Sequence, residues 1–100
     1  MKTSVTNESN NYTVTVSGRF TTDAAADFLK VMDPLMNEKN ISIAMELGEM
    51  EFISSAGLRC FVMLLKKCSA NNSSLVLRNL TPQIVDIFSL TALLDKFTVE

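Results

Sequence analysis

The hydrophobic period of this chain changes abruptly near its middle, and that change limits the possible folds more than any other feature. Ile41-Ser42-Ile43-Ala44-Met45-Glu46-Leu47 alternates, so Ile41, Ile43, Met45 and Leu47 fall on one face of a strand. Beyond Gly57, the residues Leu58, Phe61, Val62, Leu65 and Cys68 recur at helical spacing. Ser54 and Ser55 therefore sit where a strand hands over to a helix. The start of a helix offers unpaired N–H groups and a positive dipole end, so a serine there is either a cap or a site for phosphate. A plain cap would stabilise the helix by about 1 kcal/mol and needs no function; the residues alone favour it.

One hundred residues suit one domain that buries roughly two-thirds of its unfolded surface. The chain is 47% hydrophobic and 20% charged, the make-up of an ordinary globular protein. A net charge of −2 gives no electrostatic footprint for nucleic acid. The N-terminus, Met1-Lys2-Thr3-Ser4-Val5-Thr6, lacks the apolar core of a signal peptide, and no run approaches the ~18 apolar residues of a membrane span. Cys60 and Cys68 lie on one predicted helix with Cα atoms roughly 12 Å apart, too far for a disulfide bond. They read as reduced, buried thiols of a cytoplasmic protein.

Along the chain, Thr3, Val5 and Thr6 suggest a short edge strand, a polar turn follows, and Tyr12–Val16 alternates as a second strand ended by Gly18. Thr22 is the expected cap of a helix from about Asp23 to Asn37, with Ala25, Phe28, Leu29, Met32 and Met36 as its apolar stripe. Pro34 cannot donate to the carbonyl of Lys30, so a kink or an early end is expected there. Ser74–Arg78 reads as another strand. Thr81-Pro82 starts a third helix by rule, a hydroxyl at the cap and then a proline whose missing N–H costs nothing. Phe97-Thr98-Val99 is a last short strand. Alternating strands and helices argue for one mixed sheet with helices mainly on the Ile41/Ile43/Met45/Leu47 face.

The chain contains no histidine, so the usual base for a nucleophilic Ser or Cys is missing. Its three glycines, at 18, 48 and 57, write neither a phosphate loop nor a dinucleotide fingerprint. Glu46 on its strand, with Glu49 and Glu51 in a short loop, reads as a solvated acidic cluster, not a metal site. No cofactor is expected, and an enzyme is not the natural reading.

The block Ile41–Leu47, Met50 and Phe52-Ile53-Ser54-Ser55-Ala56-Gly57-Leu58-Arg59 resembles the signature of STAS domains, in particular the bacterial anti-sigma factor antagonists. Ser17-Gly18-Arg19-Phe20 resembles the end of that family's second strand. Val76–Arg78, Thr81-Pro82 and Phe88-Ser89-Leu90 resemble its last strand and helix. The resemblance covers nearly the whole chain. It implies an α/β fold spanning residues 1–100 as a single domain, with a mixed four- to five-stranded sheet and helices packed mainly on one face. It also implies a partner-switching role. The unphosphorylated form binds an anti-sigma factor that is often a serine kinase, so freeing a sigma factor. Phosphorylation of a serine at the helix start prevents that binding, and a serine phosphatase resets it. Aligned on Gly57-Leu58, the phosphoacceptor falls on Ser55, leaving Ser54 as the cap. Ser54 and Thr21 each stand where the family commonly has Asp.

Ser55, Arg59, Met63 and Lys66 lie along one side of the central helix, opposite the Leu58/Val62/Leu65 stripe, and with Thr21 are the expected partner-binding residues. The expected state is a monomer or weak dimer, with no nucleic acid and no membrane insertion. Two other readings stand beside this one. The first is a non-phosphorylated STAS subunit of a larger lipid-transport or stress-sensing assembly. The second is a small enzyme using Ser54 or Ser55 with Glu46 or Glu51 as base.

Overall fold

The computed structural model describes all 100 residues. The chain opens with a hairpin, β1 (Lys2–Glu8) and β2 (Asn11–Phe20), antiparallel with Val5 opposite Val14. A 3-10 turn (Thr22–Ala24) leads into α1 (Ala25–Met36), then β3 (Ser42–Glu46), β4 (Met50–Ile53), α2 (Ser55–Ala70), β5 (Ser74–Arg78) and α3 (Pro82–Leu90). A second 3-10 turn (Leu94–Lys96) precedes β6 (Thr98–Val99). The sheet runs β1-β2-β3-β5-β6, with β4 paired to the far end of β2; every pairing except β1 with β2 is parallel. It is a mixed α/β fold, as expected, but with six strands where the sequence pointed to four or five.

The alternation of the middle strand does what its pattern dictates. Ile41, Ile43, Met45 and Leu47 are buried, while Ser42 is exposed and Ala44 and Glu46 are half-buried. The helix-covered face also buries Val14, Val16, Leu75 and Leu77. Five phenylalanines link the helices across it. Phe61 of α2 lies 6.1 Å from Phe20, 5.9 Å from Phe28 and 6.0 Å from Phe88, and Phe88 lies 5.6 Å from Phe97. Tilted and edge-on pairs at such spacings add about 0.5–1.5 kcal/mol each beyond area burial.

Four expectations are corrected. Gly18 does not end β2; its φ of +89° makes a bulge that shifts the register, and its N–H donates to the carbonyl of Glu49 at 2.9 Å. Only glycine adopts that conformation cheaply, and the bulge lets Arg19 and Phe20 pair with Phe52 and Ile53. Glu51 accordingly lies on β4, a strand too short to declare itself by alternation, and not in a loop. Thr22 is not a cap, because the turn it enters is 3-10 and no side chain caps either it or α1. Helix α1 runs through Pro34 to Met36. Pro34, itself exposed, removes one hydrogen bond in the last turn, whereas stopping there would leave Leu35 and Met36 out of the core they now join.

The core stripe of α2 is also turned from its expected position. Gly57, Leu58, Cys60, Phe61, Leu64 and Cys68 are buried, whereas Val62 and Leu65 are only half-buried. At 100° per residue the buried stripe is rotated by roughly 60° toward Gly57 and Leu64. The cause is close approach: a Cβ on Gly57 would meet Ile53 Cγ1 at 2.7 Å and Phe20 Cδ1 at 2.9 Å. Gly57→Ala should therefore overpack the junction at a cost of about 1–3 kcal/mol, against roughly 1 kcal/mol returned by helix propensity. The expected net result is a lower urea midpoint with an unchanged m-value. An unchanged or raised midpoint would mean that the junction has slack.

Candidate functional site

The two serines at the head of α2 do different things. Ser54 is extended, with φ −80° and ψ 170°, and its N–H donates to the carbonyl of Phe20 at 2.8 Å, tying the end of β4 to β2. Its Oγ accepts from the N–H of Gly57 at 3.1 Å, which makes it the N-cap. Ser55, the first helical residue, is exposed and takes no part in that cap. The first turn carries no acidic side chain, so nothing on the helix itself offsets its positive end.

From Ser55 onward the outward face of α2 leads into a shallow groove. Leu58, Arg59, Val62, Met63 and Lys66 line it, with Leu93 from the loop after α3 closing the far wall. Leu93 is held there by its N–H, which donates to the carbonyl of Phe88 at 2.8 Å. Met63 is 45% exposed and Leu90, at the end of α3, 87% exposed. Neither Arg59 nor Lys66 has an acidic partner within the chain. The groove thus joins an apolar floor to two cations that no carboxylate neutralises.

The structure brings Arg59, Met63 and Lys66 together, one turn and more beyond Ser55 on the same helix. Leu58 and Val62 are not opposite this face, as the sequence suggested; the rotation of α2 makes them part of the groove. Nothing in the sequence pointed Leu93 to this face, since it lies just past the end of α3 and only tertiary folding brings it against α2. Thr21 is exposed directly after β2 but lines a different depression, with Met1, Thr3, Asp23, Asp27 and Val31.

Other groups offer little chemistry. Burial pushes the Cys60 thiol above its ordinary range, with Arg59 pulling weakly the other way, and burial alone raises Cys68. Both thiolates, the nucleophilic forms, are disfavoured. Glu46 accepts from Asn79 Nδ2 at 2.7 Å and lies 3.8 Å from Arg78, so it is engaged on the open face of the sheet. No three acidic or thiol groups converge in a way that would hold a metal ion. No helix is long and apolar enough to cross a membrane.

Comparison with known proteins adds a family to this geometry. The family described as "Mlab, STAS domain" matches residues 3–98. BtrV of Bordetella bronchiseptica, described as a candidate anti-sigma factor antagonist, is 33% identical over 57 residues. That match takes in 57% of this chain and 49% of the relative, about half its length. A candidate anti-sigma factor antagonist from Thermotoga maritima superposes with a TM-score of 0.86 at 22% identity, covering 97% of this chain and 84% of that one. The anti-sigma factor antagonist SpoIIAA in its unphosphorylated form gives 0.84 at 12% identity, covering 99% and 88%. With a family match over nearly its whole length and a sheet and helices that superpose on those structures, this chain belongs to the STAS domain family.

Proposed function

We propose that the protein is an anti-sigma factor antagonist whose binding is controlled by phosphorylation of Ser55. The observation that carries the reading is the division between the serines: Ser54 is committed to the cap, and Ser55 is left exposed at the head of a groove with unpaired cations. The relatives named as anti-sigma factor antagonists support the partner, and a relative described in an unphosphorylated form supports the modification. In this reading the groove receives an anti-sigma factor that is also the serine kinase, a serine phosphatase resets Ser55, and the exchange takes place in the cytoplasm without catalysis by this chain. A second reading stands beside it, since the matching family's description names no antagonist: a STAS subunit of a larger lipid-transport or stress-sensing assembly, never phosphorylated. Mapping phosphosites on the protein from its native cell separates the two.

A phosphate on Ser55 carries about −1.5 to −2 charges beside a positive helix end, so the free protein should accept it. Its effect falls on the complex, where a dianion must be desolvated in a contact made for a hydroxyl. Ser55→Asp should keep near-wild-type thermal stability and lose binding to the cognate anti-sigma factor in calorimetry. Ser54→Ala should do the reverse, losing about 1 kcal/mol of stability with its cap while still binding. Equal affinity of wild type and Ser55→Asp would sink the mechanism.

Arg59 lies one helical turn beyond Ser55, and helical side chains lean back toward the N-terminus, which brings its guanidinium toward that hydroxyl. After phosphorylation it should pair with the phosphate through charge-assisted hydrogen bonds. A cation beside the phosphate favours the dianion, so Arg59→Ala should raise the phosphoserine's second pKa above that of the unmutated phosphoprotein. Phosphorus NMR titration of both phosphoproteins reads the difference. Coincident curves would show that Arg59 serves the partner or the solvent instead.

A further inference from the structure

Strand β1 pairs only with β2, so its outer edge presents a row of backbone N–H and C=O groups to solvent. Exposed edges are usually guarded by a proline, a bulge, an inward-pointing charge or extreme shortness. This one has none of those, and the charged side chains that also guard edges, Lys2 and Glu8, stand only at its two ends. It is seven residues long, and the stretch from Thr3 to Asn7 between its terminal charges is neutral.

Its sequence, Lys-Thr-Ser-Val-Thr-Asn-Glu, also matches itself in reverse. Placed antiparallel against a second copy with Val5 facing Val5, Lys2 stands opposite Glu8 at both ends. Ser4 then stands opposite Thr6, and Thr3 opposite Asn7. Neither Lys2 nor Glu8 has an ion-pair partner within the chain. Sliding the strands by two residues in either direction loses both charge pairs, so the register is specified. The faces agree as well. Val5 is opposite the buried Val14 across the hairpin and so lies on the helix-covered side, whereas Lys2 and Glu8 lie on the open side. Of the six large apolar side chains left exposed, Met1, Val5 and Val31 border this edge; Val31 lines the same depression as Met1 and Thr3.

We infer that two copies of this chain pair through β1 about a two-fold axis at Val5, forming one continuous sheet across the dimer. The contact is isologous: the same patch serves both copies, and each charge pair occurs twice. It uses no residue of the Ser55 groove, so dimerisation leaves both grooves open.

Charge reversal tests this directly, because a two-fold contact turns one substitution into two like-charge pairs. Sedimentation of the chain with any tag kept at its C-terminus, followed up to millimolar concentration, should show a reversible dimer. Lys2→Glu and Glu8→Lys should each weaken it about tenfold or more, although they change the net charge in opposite directions. The double variant Lys2→Glu/Glu8→Lys should restore wild-type association, since the pairs are only exchanged. As a measurement independent of those variants, Val5→Cys should cross-link to itself on mild oxidation, whereas Asn10→Cys should not. A monomer at every concentration overturns the inference. So does a dimer indifferent to the reversals, or a single-variant loss that the double variant fails to rescue.

Discussion

The close approach of α2 to the sheet at Gly57 is the constraint on which the rest of the structure depends. A side chain there would meet Phe20 and Ile53 well inside van der Waals distance, so the helix sits as near as a backbone can. One turn later Phe61 touches phenylalanines of β2, α1 and α3 at once. The direction of α2 is therefore fixed by a core that all three helices share. The head of that helix inherits the rigidity: Ser54 is held on one side by the carbonyl of Phe20 and on the other by the N–H of Gly57. A site built this way depends on packing for its position, and its own polar contacts need only orient it.

The same topology divides the surface. Parallel crossovers bring α1, α2 and α3 to one face, leaving the other to short side chains, mostly polar but including Ala44 and Val76, and a few charges. Arg78 there joins Glu46 at 3.8 Å and Glu100 at 2.8 Å, while the N–H of Glu100 donates to the carbonyl of Leu77 at 2.9 Å. Exposed pairs of this kind contribute only about 0–1 kcal/mol each. For β6, a strand of two residues, that still helps to hold the register of the chain end. The hairpin occupies the opposite edge, and β1 there is the strand with most backbone still unpaired. Two regions of the surface are thus left unsatisfied, one by side chains along α2 and one by backbone along β1.

How much of this could be read beforehand follows from which physical signals are local. The buried side of β3 was legible because alternation is a property of the strand alone. The cap at Thr81 was legible because a hydroxyl followed by a helical run is a local pattern, and so was a cap at the Ser54–Ser55 junction. Which of those two serines makes it was not local, and only the family resemblance pointed to Ser54. The path of β2 past Gly18 was not, since a glycine that ends a strand and one that bulges it look identical until β4 is there to pair. Pro34 misled for a related reason: its local cost is real, but Leu35 and Met36 are drawn into the core and outweigh it. The rotation of α2 was hidden because counting hydrophobic residues ranks Leu58, Val62 and Leu65 above a glycine. The glycine decides the matter by what it lacks. Leu93 lies just past the end of α3, and only tertiary folding carries it to the groove, so no local pattern could place it there.

The two serines show why adjacent residues of one type need not share a fate. An N-cap hydroxyl must point back along the helix to accept from the third residue on, which fixes the side chain of Ser54 and removes it from the surface chemistry. Ser55, already helical, has no such duty, and its hydroxyl faces water where unpaired N–H groups and the dipole favour an anion. Arg59 and Lys66 add two positive charges along the groove that starts there. If Ser55 carries phosphate, about −1.5 to −2 charges brings that face close to neutral at one stroke. A partner attracted by the unmodified groove would then meet a surface without that attraction and with a bulky, strongly hydrated group at its head. The fold itself would feel little, because the cap and the Gly57 contact lie on the far side of the helix. Recognition and stability are separable here because the two hydroxyls are.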